Sequence, residues 1–229
     1  MLFMPFDYLY LILVLPALLF SMWAQYKVTS SFGKYSKQRT QNGLTGAAAA
    51  REVLQRAGVS GVRIERISGN LTDHFDPREN VIRLSDSVHD VSSVAAVGVA
   101  AHEAGHAIQY AEHYYPMKVR ALIIPVTNLG SKLAVPLIII GLLLEFSGLI
   151  NLGILLFGTI VMFQLVTLPV EFNASRRAVN ILSDSRLLAA NEVPASKKVL
   201  TAAALTYVGA LAVSLAQLLR FVLIAARRR

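Results

Sequence analysis

The chain has 229 residues, of which 55% are apolar and 16% are charged, and its formal net charge is +8. Ordinary soluble domains are about 45–50% apolar and about 25% charged, so this composition indicates a membrane protein with one modest polar region. The positive charges lie beside apolar segments and are not interleaved with aromatic residues, which favours contact with anionic lipid headgroups over nucleic acid. The lack of cysteine excludes disulfides and thiolate metal sites, so any zinc must be bound by histidine and carboxylate.

Residues 8–24 form the first apolar segment, close to the lower limit of about 17 residues for a membrane-spanning helix. No basic residue precedes this segment and no small-residue cleavage site follows it, so a cleaved signal peptide is not expected. Asp7 stands before the segment and four basic residues follow it, which places the following domain in the cytoplasm. We therefore expect residues 1–26 to be an N-terminal transmembrane anchor. The four basic residues are Lys27, Lys34, Lys37 and Arg39.

Residues 27–120 are polar enough to form a soluble domain. Within this domain, Thr45 is predicted to start a helix that ends at Gly58. Two β-branched runs, over residues 62–67 and 80–84, predict short strands, and the segment between them is rich in turn residues. We expect a small α+β domain whose sheet packs on the helix that follows.

That next helix is predicted over about residues 91–112 and contains the sequence HEAGH at residues 102–106. The residues before the motif are small and apolar, and no proline occurs until Pro116. Asp90 and Ser92 are both suitable as the helix N-cap. The helical conformation that the motif requires is therefore the one that its surroundings favour.

The motif predicts a zinc metallopeptidase site. His102 and His106 project from one face of the helix, and both imidazoles can reach one zinc ion at about 2.0–2.1 Å. Glu103 lies between them, where it can take a proton from the water that attacks a peptide bond. Gly105 costs about 1 kcal/mol in a helix interior, so we expect a second backbone to approach closely there.

Two further apolar segments, residues 121–146 and 149–170, are separated by a short break at residues 145–148. We expect a two-span transmembrane hairpin over residues 121–170. The helical pattern in the first segment is weakened by three residues, and its strongest part is residues 133–144. The three residues are Pro125, Lys132 and Pro136.

The chain becomes polar and basic again over residues 171–198, which fits a return to the cytoplasm. Residues 199–229 form a last apolar helix that ends in three arginines. A single crossing would place those arginines outside the cell, against the positive-inside trend. We expect this helix to be membrane-associated, with its topology left open.

A catalytic zinc ion usually has three protein ligands, so the two histidines require a third group. His113 lies seven residues after His106, about 10 Å along a continuous helix and too far for one ion. The metzincin pattern fails because Gln109 and Glu112 stand where it requires glycine and histidine. Glu171 is the strongest remaining candidate, since the chain returns there to the membrane face where the HEAGH helix should also lie. The other candidates are His74, Asp76 and His89.

The sequence resembles the YugP-type bacterial membrane zinc metallopeptidases over most of its length. The matching pieces are a single N-terminal span, a hairpin of spans and four motifs. More distantly, EFNASR resembles the E-x-x-A-D-R ligand helix of HtpX-like gluzincin proteases. The four motifs are LTDHFDPRENVIRLS, SVAAVGVAAHEAGHAIQ, VEFNASRRAVNIL and LTAAALTY.

The resemblance implies an α-helical integral membrane protein with a small α+β gluzincin-like zinc peptidase domain. It implies one zinc ion per chain, bound by His102, His106 and Glu171, with Glu103 as the general base. Arg176 stands at the arginine of the gluzincin pattern. Ser175 stands where that pattern has an aspartate that supports a histidine ligand, and loss of such support typically costs 10–100-fold in metal affinity or activity.

The function that follows is a membrane-anchored zinc endopeptidase acting on proteins or peptides at the cytoplasmic face of the bacterial inner membrane. Membrane-protein quality control is one role that this position suggests. The expected partners are a protein substrate and the lipid bilayer, with no nucleic acid. The group that stabilises the oxyanion remains open between Tyr207, Arg176 and His74.

Two alternative functions are less well supported. In a site-2-type intramembrane protease the motif would lie within the bilayer, but only about eleven small apolar residues precede His102 and polar residues soon follow. The Asp-Gly ligand pair of those proteases is also absent. In a non-catalytic scaffold with structural zinc, four ligands would be usual and Glu103 would not be needed.

Overall fold

The computed structural model describes residues 8–227, and Asp7, Arg228 and Arg229, which entered the charge arguments above, lie outside this range. The described chain is mostly helical and divides into two compact units. The apolar unit contains the described residues up to Ala24, then Lys118–Leu168 and the chain from Leu205 onward. The polar unit contains Gln25–Met117 and Pro169–Ala204.

The structure contains a three-stranded sheet and long helices. The elements in chain order are a π-helical turn (Tyr10–Val14), α1 (Leu15–Tyr35), α2 (Gly46–Arg56), β1 (Arg63–Ile67), β2 (His74–Asp76), β3 (Val81–Ser85), α3 (Val94–Ala111), α4 (Tyr115–Leu143), α5 (Ser147–Asp184) and α6 (Val193–Ala226).

Four helices are long and apolar enough to cross a membrane: Tyr10–Tyr35, α4, α5 and α6. All four are longer than the sequence predicted. The two prolines of α4, Pro125 and Pro136, lie inside one continuous helix, so the weak pattern around them did not mark a helix end. Prolines are tolerated within membrane-spanning helices because neighbouring groups satisfy the freed carbonyls.

In the apolar unit, apolar side chains of α4, α5 and α6 share one core. Helices α4 and α5 approach closely at Gly153, where a Cβ atom would lie 2.7 Å from the carbonyl oxygen of Ala134. Small residues at such contacts allow close backbone packing between helices in lipid. The buried core residues are Ala134, Ile138, Leu142, Ile150, Phe157, Val161 and Phe221.

In the polar unit, the sheet has the order β1-β3-β2, with β1 parallel and β2 antiparallel to β3. The predictions of strands over 62–67 and 80–84 are confirmed within one residue at each end. Strand β2 was not predicted, because its residues lie in a stretch dominated by turn formers. Burial does not alternate along β3, where almost every residue is buried. This is expected for the central strand of a sheet covered by helices.

Helices α2 and α3 pack together in the main core of the polar unit. The predicted start of α2 is confirmed: the side chain of Thr45 accepts a hydrogen bond from the backbone N–H of Ala48, at 3.3 Å. The start of α3 differs from the prediction, because Ser93 and neither Asp90 nor Ser92 is the N-cap. Its hydroxyl accepts from the N–H of Ala96 at 3.2 Å.

A buried carboxylate fixes the connection between α5 and α6. Glu192 is only 2% exposed, and its two oxygens accept hydrogen bonds from the backbone N–H groups of Gln41 (2.9 Å) and Ala189 (2.8 Å). The Asn42 side chain adds a hydrogen bond to the Leu187 carbonyl. A buried charge is tolerated when both oxygens are hydrogen-bonded, and these bonds hold the loop after α1 against the loop before α6.

Candidate metal centre

Helix α3 places both histidines of the motif on one face within the polar unit. The imidazole rings of His102 and His106 are 4.6 Å apart between centroids and meet edge to face. Glu103, between them, is buried at 8% exposure, as is His106. The predicted helix is thus formed, and it buries the motif within the polar unit.

Helix α5 brings Glu171 to the same place. A Cβ atom at Gly105 would lie 2.7 Å from the carbonyl oxygen of Ala174, which confirms the expected close approach of a second backbone. That approach is possible only because Gly105 has no side chain, and it sets the turn of α5 that contains Glu171 against the motif. The Glu171 side chain is 3% exposed.

Three ligand atoms converge in this arrangement. Oε2 of Glu171 lies 3.3 Å from Nε2 of His102 and 3.5 Å from Nε2 of His106. Two ligands placed about 2.0–2.1 Å from one ion in tetrahedral coordination lie about 3.3–3.4 Å apart. The spacing therefore fits the edges of a zinc tetrahedron, and the donor set of two imidazoles and one carboxylate is one that zinc accepts.

The other nitrogen of each imidazole has a partner. Nδ1 of His102 lies 3.0 Å from the hydroxyl of Ser175, and Nδ1 of His106 lies 3.0 Å from Oε1 of Gln109. The sequence indicated Ser175 through its place in the EFNASR motif. The sequence did not indicate a role for Gln109, which was noted only because it stands where the metzincin pattern requires glycine.

Negative charge shapes the electrostatics of the site. Burial disfavours a charged imidazole at His106, but the hydrogen bond and charge of Glu171 outweigh burial and raise the pKa of His106. Burial also raises the pKa of the Asp73 carboxyl, against hydrogen bonds from Ser85 that lower it. The charge of Glu103 raises the Asp73 pKa further, so Asp73 is a nearby acid that the sequence did not identify.

The remaining ligand candidates have other partners. Nδ1 of His74 contacts the Thr72 carbonyl at 2.9 Å, Asp76 contacts Arg83 at 3.6 Å, and Nδ1 of His89 contacts Asp90 at 2.8 Å. His113 lies beyond the end of α3 with a φ of 58°. Within residues 8–227, the one group of three side chains placed to share a metal ion is His102, His106 and Glu171.

An HExxH helix, a buried carboxylate placed to share a metal ion with its histidines and four apolar helices indicate a membrane protein of the metallopeptidase class. The chain belongs to the zinc metallopeptidase family described as "Putative neutral zinc metallopeptidase", which matches residues 10–226. It is 49% identical over 216 residues to "Putative membrane protease YugP" of Bacillus subtilis (strain 168), covering 94% of this chain and 96% of the relative. The resemblance drawn from the motifs is thereby confirmed. No solved structure matched the chain.

Proposed function

We propose that this protein is a membrane-anchored zinc endopeptidase of the gluzincin type. The observation that carries the proposal is the convergence of His102, His106 and Glu171 at tetrahedral ligand distances within a buried site. Family membership and the relation to a protein described as a membrane protease support the same activity. The glutamate ligand on a second helix supports the gluzincin type.

In this proposal His102, His106 and Glu171 bind one zinc ion through two nitrogens and one carboxylate oxygen. Bound there, zinc would supply Lewis acidity toward the scissile carbonyl and the attacking water. Glu103 takes the proton from that water and delivers it to the leaving amine nitrogen. The burial of Glu103 keeps bulk water away from this transfer.

We further propose that the site works at the cytoplasmic face of the bacterial inner membrane, on protein or peptide substrates that include damaged membrane proteins. The basic residues that follow the first apolar segment support this orientation. Because the chain lacks cysteine, a single Ser60→Cys variant offers one exposed thiol for labelling in intact cells and in inverted vesicles. Labelling of Cys at position 60 in intact cells by an impermeant maleimide would contradict the cytoplasmic location.

The activity itself is tested with detergent-purified protein, by zinc content and by cleavage of an unfolded membrane-protein substrate. The wild-type chain should hold about one zinc ion and cleave the substrate, and Glu103→Gln should keep the zinc and lose cleavage. Zinc without cleavage in the wild type would favour the non-catalytic scaffold. Absence of zinc after reloading would remove the metallopeptidase proposal.

A further inference from the structure

Gln109 stands at the centre of a buried hydrogen-bond network behind the metal site. It is fully buried, at 0% exposure, on the turn of α3 that follows His106. Its Oε1 faces Nδ1 of His106 at 3.0 Å. Its Nε2 faces the Val170 carbonyl at 2.8 Å and Oδ1 of Asn173 at 3.0 Å, both on α5.

The network continues from Asn173 to the protein surface. Oδ1 of Asn173 accepts a second hydrogen bond, from Nε of Arg177 at 2.7 Å. Arg177 in turn pairs with Glu112 at 2.7 Å. The path from the metal site outward is therefore His106, Gln109, Asn173, Arg177, Glu112.

The direction of every bond in this path is determined by groups that have only one role. A guanidinium can only donate, so Asn173 must present its oxygen to Arg177 and, with that same atom, to Gln109. A backbone carbonyl can only accept, so Gln109 must direct its NH₂ group toward Val170. The amide of Gln109 thus presents its oxygen to His106, and a flipped amide would place oxygen against oxygen at both Val170 and Asn173.

From this network we infer that Gln109 is a positioning residue that fixes the tautomer of His106. An amide oxygen accepts, so Nδ1 of His106 must bear a proton, which leaves Nε2 as the nitrogen that can bind a metal ion. Nε2 is the nitrogen that lies 3.5 Å from the Glu171 carboxylate. The inference rests on the proposed function for its consequence, which is that Nε2 is the nitrogen of His106 that binds zinc.

The same residue couples two ligands that are far apart in the sequence. Val170 immediately precedes Glu171, and Asn173 lies two residues after it, so the two bonds from Gln109 hold the turn of α5 that contains the carboxylate ligand. Val170 lies inside α5, where its carbonyl also accepts the hydrogen bond of the helix itself. Loss of the Gln109 bond would therefore leave no unsatisfied carbonyl and should not unfold the helix.

Two variants separate the tautomer role from simple packing. Gln109→Leu keeps a side chain of similar size but removes both hydrogen-bonding functions. Gln55→Leu makes the same change at an exposed position of α2 and is the matched control. The first readout is the ¹⁵N spectrum of the metal-free protein labelled at its five histidines, at a pH where the imidazoles are neutral. The second is the zinc dissociation constant, measured by competition with a chromophoric chelator.

In the wild type and in Gln55→Leu, the proton of His106 should reside on Nδ1. In Gln109→Leu it should redistribute toward Nε2, and zinc should bind about 10–100-fold more weakly. A wild-type proton on Nε2 would overturn the inference, as would a Gln109→Leu protein with the wild-type tautomer and zinc affinity. Should Gln109→Leu fail to fold, Asn173→Leu removes the side-chain acceptor that orients the Gln109 amide and should weaken zinc binding, whereas Gln55→Leu should not. Equal affinities of these two variants would again overturn the inference.

Different results would contradict the proposed peptidase function and the proposed role of Gln109. A wild-type protein that binds no zinc but bears the His106 proton on Nδ1 would remove the proposed peptidase function and support the role of Gln109. A protein that binds zinc and cleaves peptide bonds, with the His106 proton on Nε2, would support the peptidase and overturn the role of Gln109.

Discussion

The two halves of the metal site are built on different principles. The α3 half, with His102, Glu103 and His106, is local: one helix with a four-residue spacing aligns all three side chains. The α5 half contributes Glu171, 65 residues or more along the chain, and it is placed only by packing and hydrogen bonds between α3 and α5. The geometry of the α3 half should survive small changes in packing. The position of Glu171 in the α5 half should be sensitive to any change at the contact between α3 and α5.

The largest expected effect is on the chemistry of the α3 half. Glu103→Gln keeps the size of the side chain but removes the base, so the rate of peptide cleavage should fall by about 10²–10⁴-fold. Zinc content, measured on the same preparation, should be unchanged. The matched control is Glu52→Gln, an acid on α2 that pairs only loosely with Arg56 at 4.0 Å, and it should retain full activity. A Glu103→Gln protein that cleaves normally would contradict the role of Glu103.

The next effect tests the α5 half. Glu171→Ala removes one of the three proposed ligands, so zinc affinity should fall by more than the 10–100-fold typical of an outer supporting residue. Competition with a chelator measures this loss. Asp184→Ala, which removes an exposed acid from the end of the same helix, should bind zinc as the wild type does. Zinc retained in Glu171→Ala at wild-type affinity would show that the third ligand is another residue.

The same contrast explains what the sequence could predict. Small apolar residues around HEAGH and the lack of proline are local signals, and they predicted α3 and its three site residues. Glu171 has no local signature, since an acid after an apolar segment is ordinary, and its selection depended on the return to the membrane face and on the EFNASR resemblance. Gln109 was not predicted, because a side-chain amide acquires its role from a partner on another helix.

Errors in the predicted elements have physical causes as well. Strand β2 lies among turn formers, and the ladder with β3 provides the hydrogen bonds that the local sequence does not favour. The N-cap of α3 was misplaced because three residues with capping side chains stand within four positions. Ser93 has the extended backbone of an N-cap, and its hydroxyl accepts from the N–H of Ala96. Both outcomes were decided by tertiary structure.

Gly105→Ala tests the packing that holds the two halves together. The added Cβ would lie 2.7 Å from the Ala174 carbonyl oxygen, so α3 and α5 must separate, at a cost typical of overpacking of about 1–3 kcal/mol. Alanine improves helix propensity by about 1 kcal/mol, which offsets part of this cost. Thermal unfolding of the metal-free protein and zinc affinity measure the two consequences, and both should decrease.

Gly33→Ala is the matched control for this substitution. Gly33 lies in α1, and a Cβ atom there would meet nothing within 4 Å. The same change should therefore stabilise the protein slightly, by no more than about 1 kcal/mol, and leave zinc binding unchanged. Equal effects of the two substitutions would show that the close contact of Gly105 with α5 has no special importance for the site.

The smallest effect is expected at Ser175, the support of His102. A serine hydroxyl can rotate to donate or accept, so the 3.0 Å contact with Nδ1 orients the His102 ring without selecting a tautomer. Ser175→Ala should weaken zinc binding by no more than about tenfold, the lower end of the range for such supports. Ser175→Asp supplies a carboxylate that only accepts when ionised, so it should bind zinc more tightly than the wild type. If Ser175→Ala weakened binding more than Gln109→Leu does, the assignment of the stronger support to His106 would be reversed.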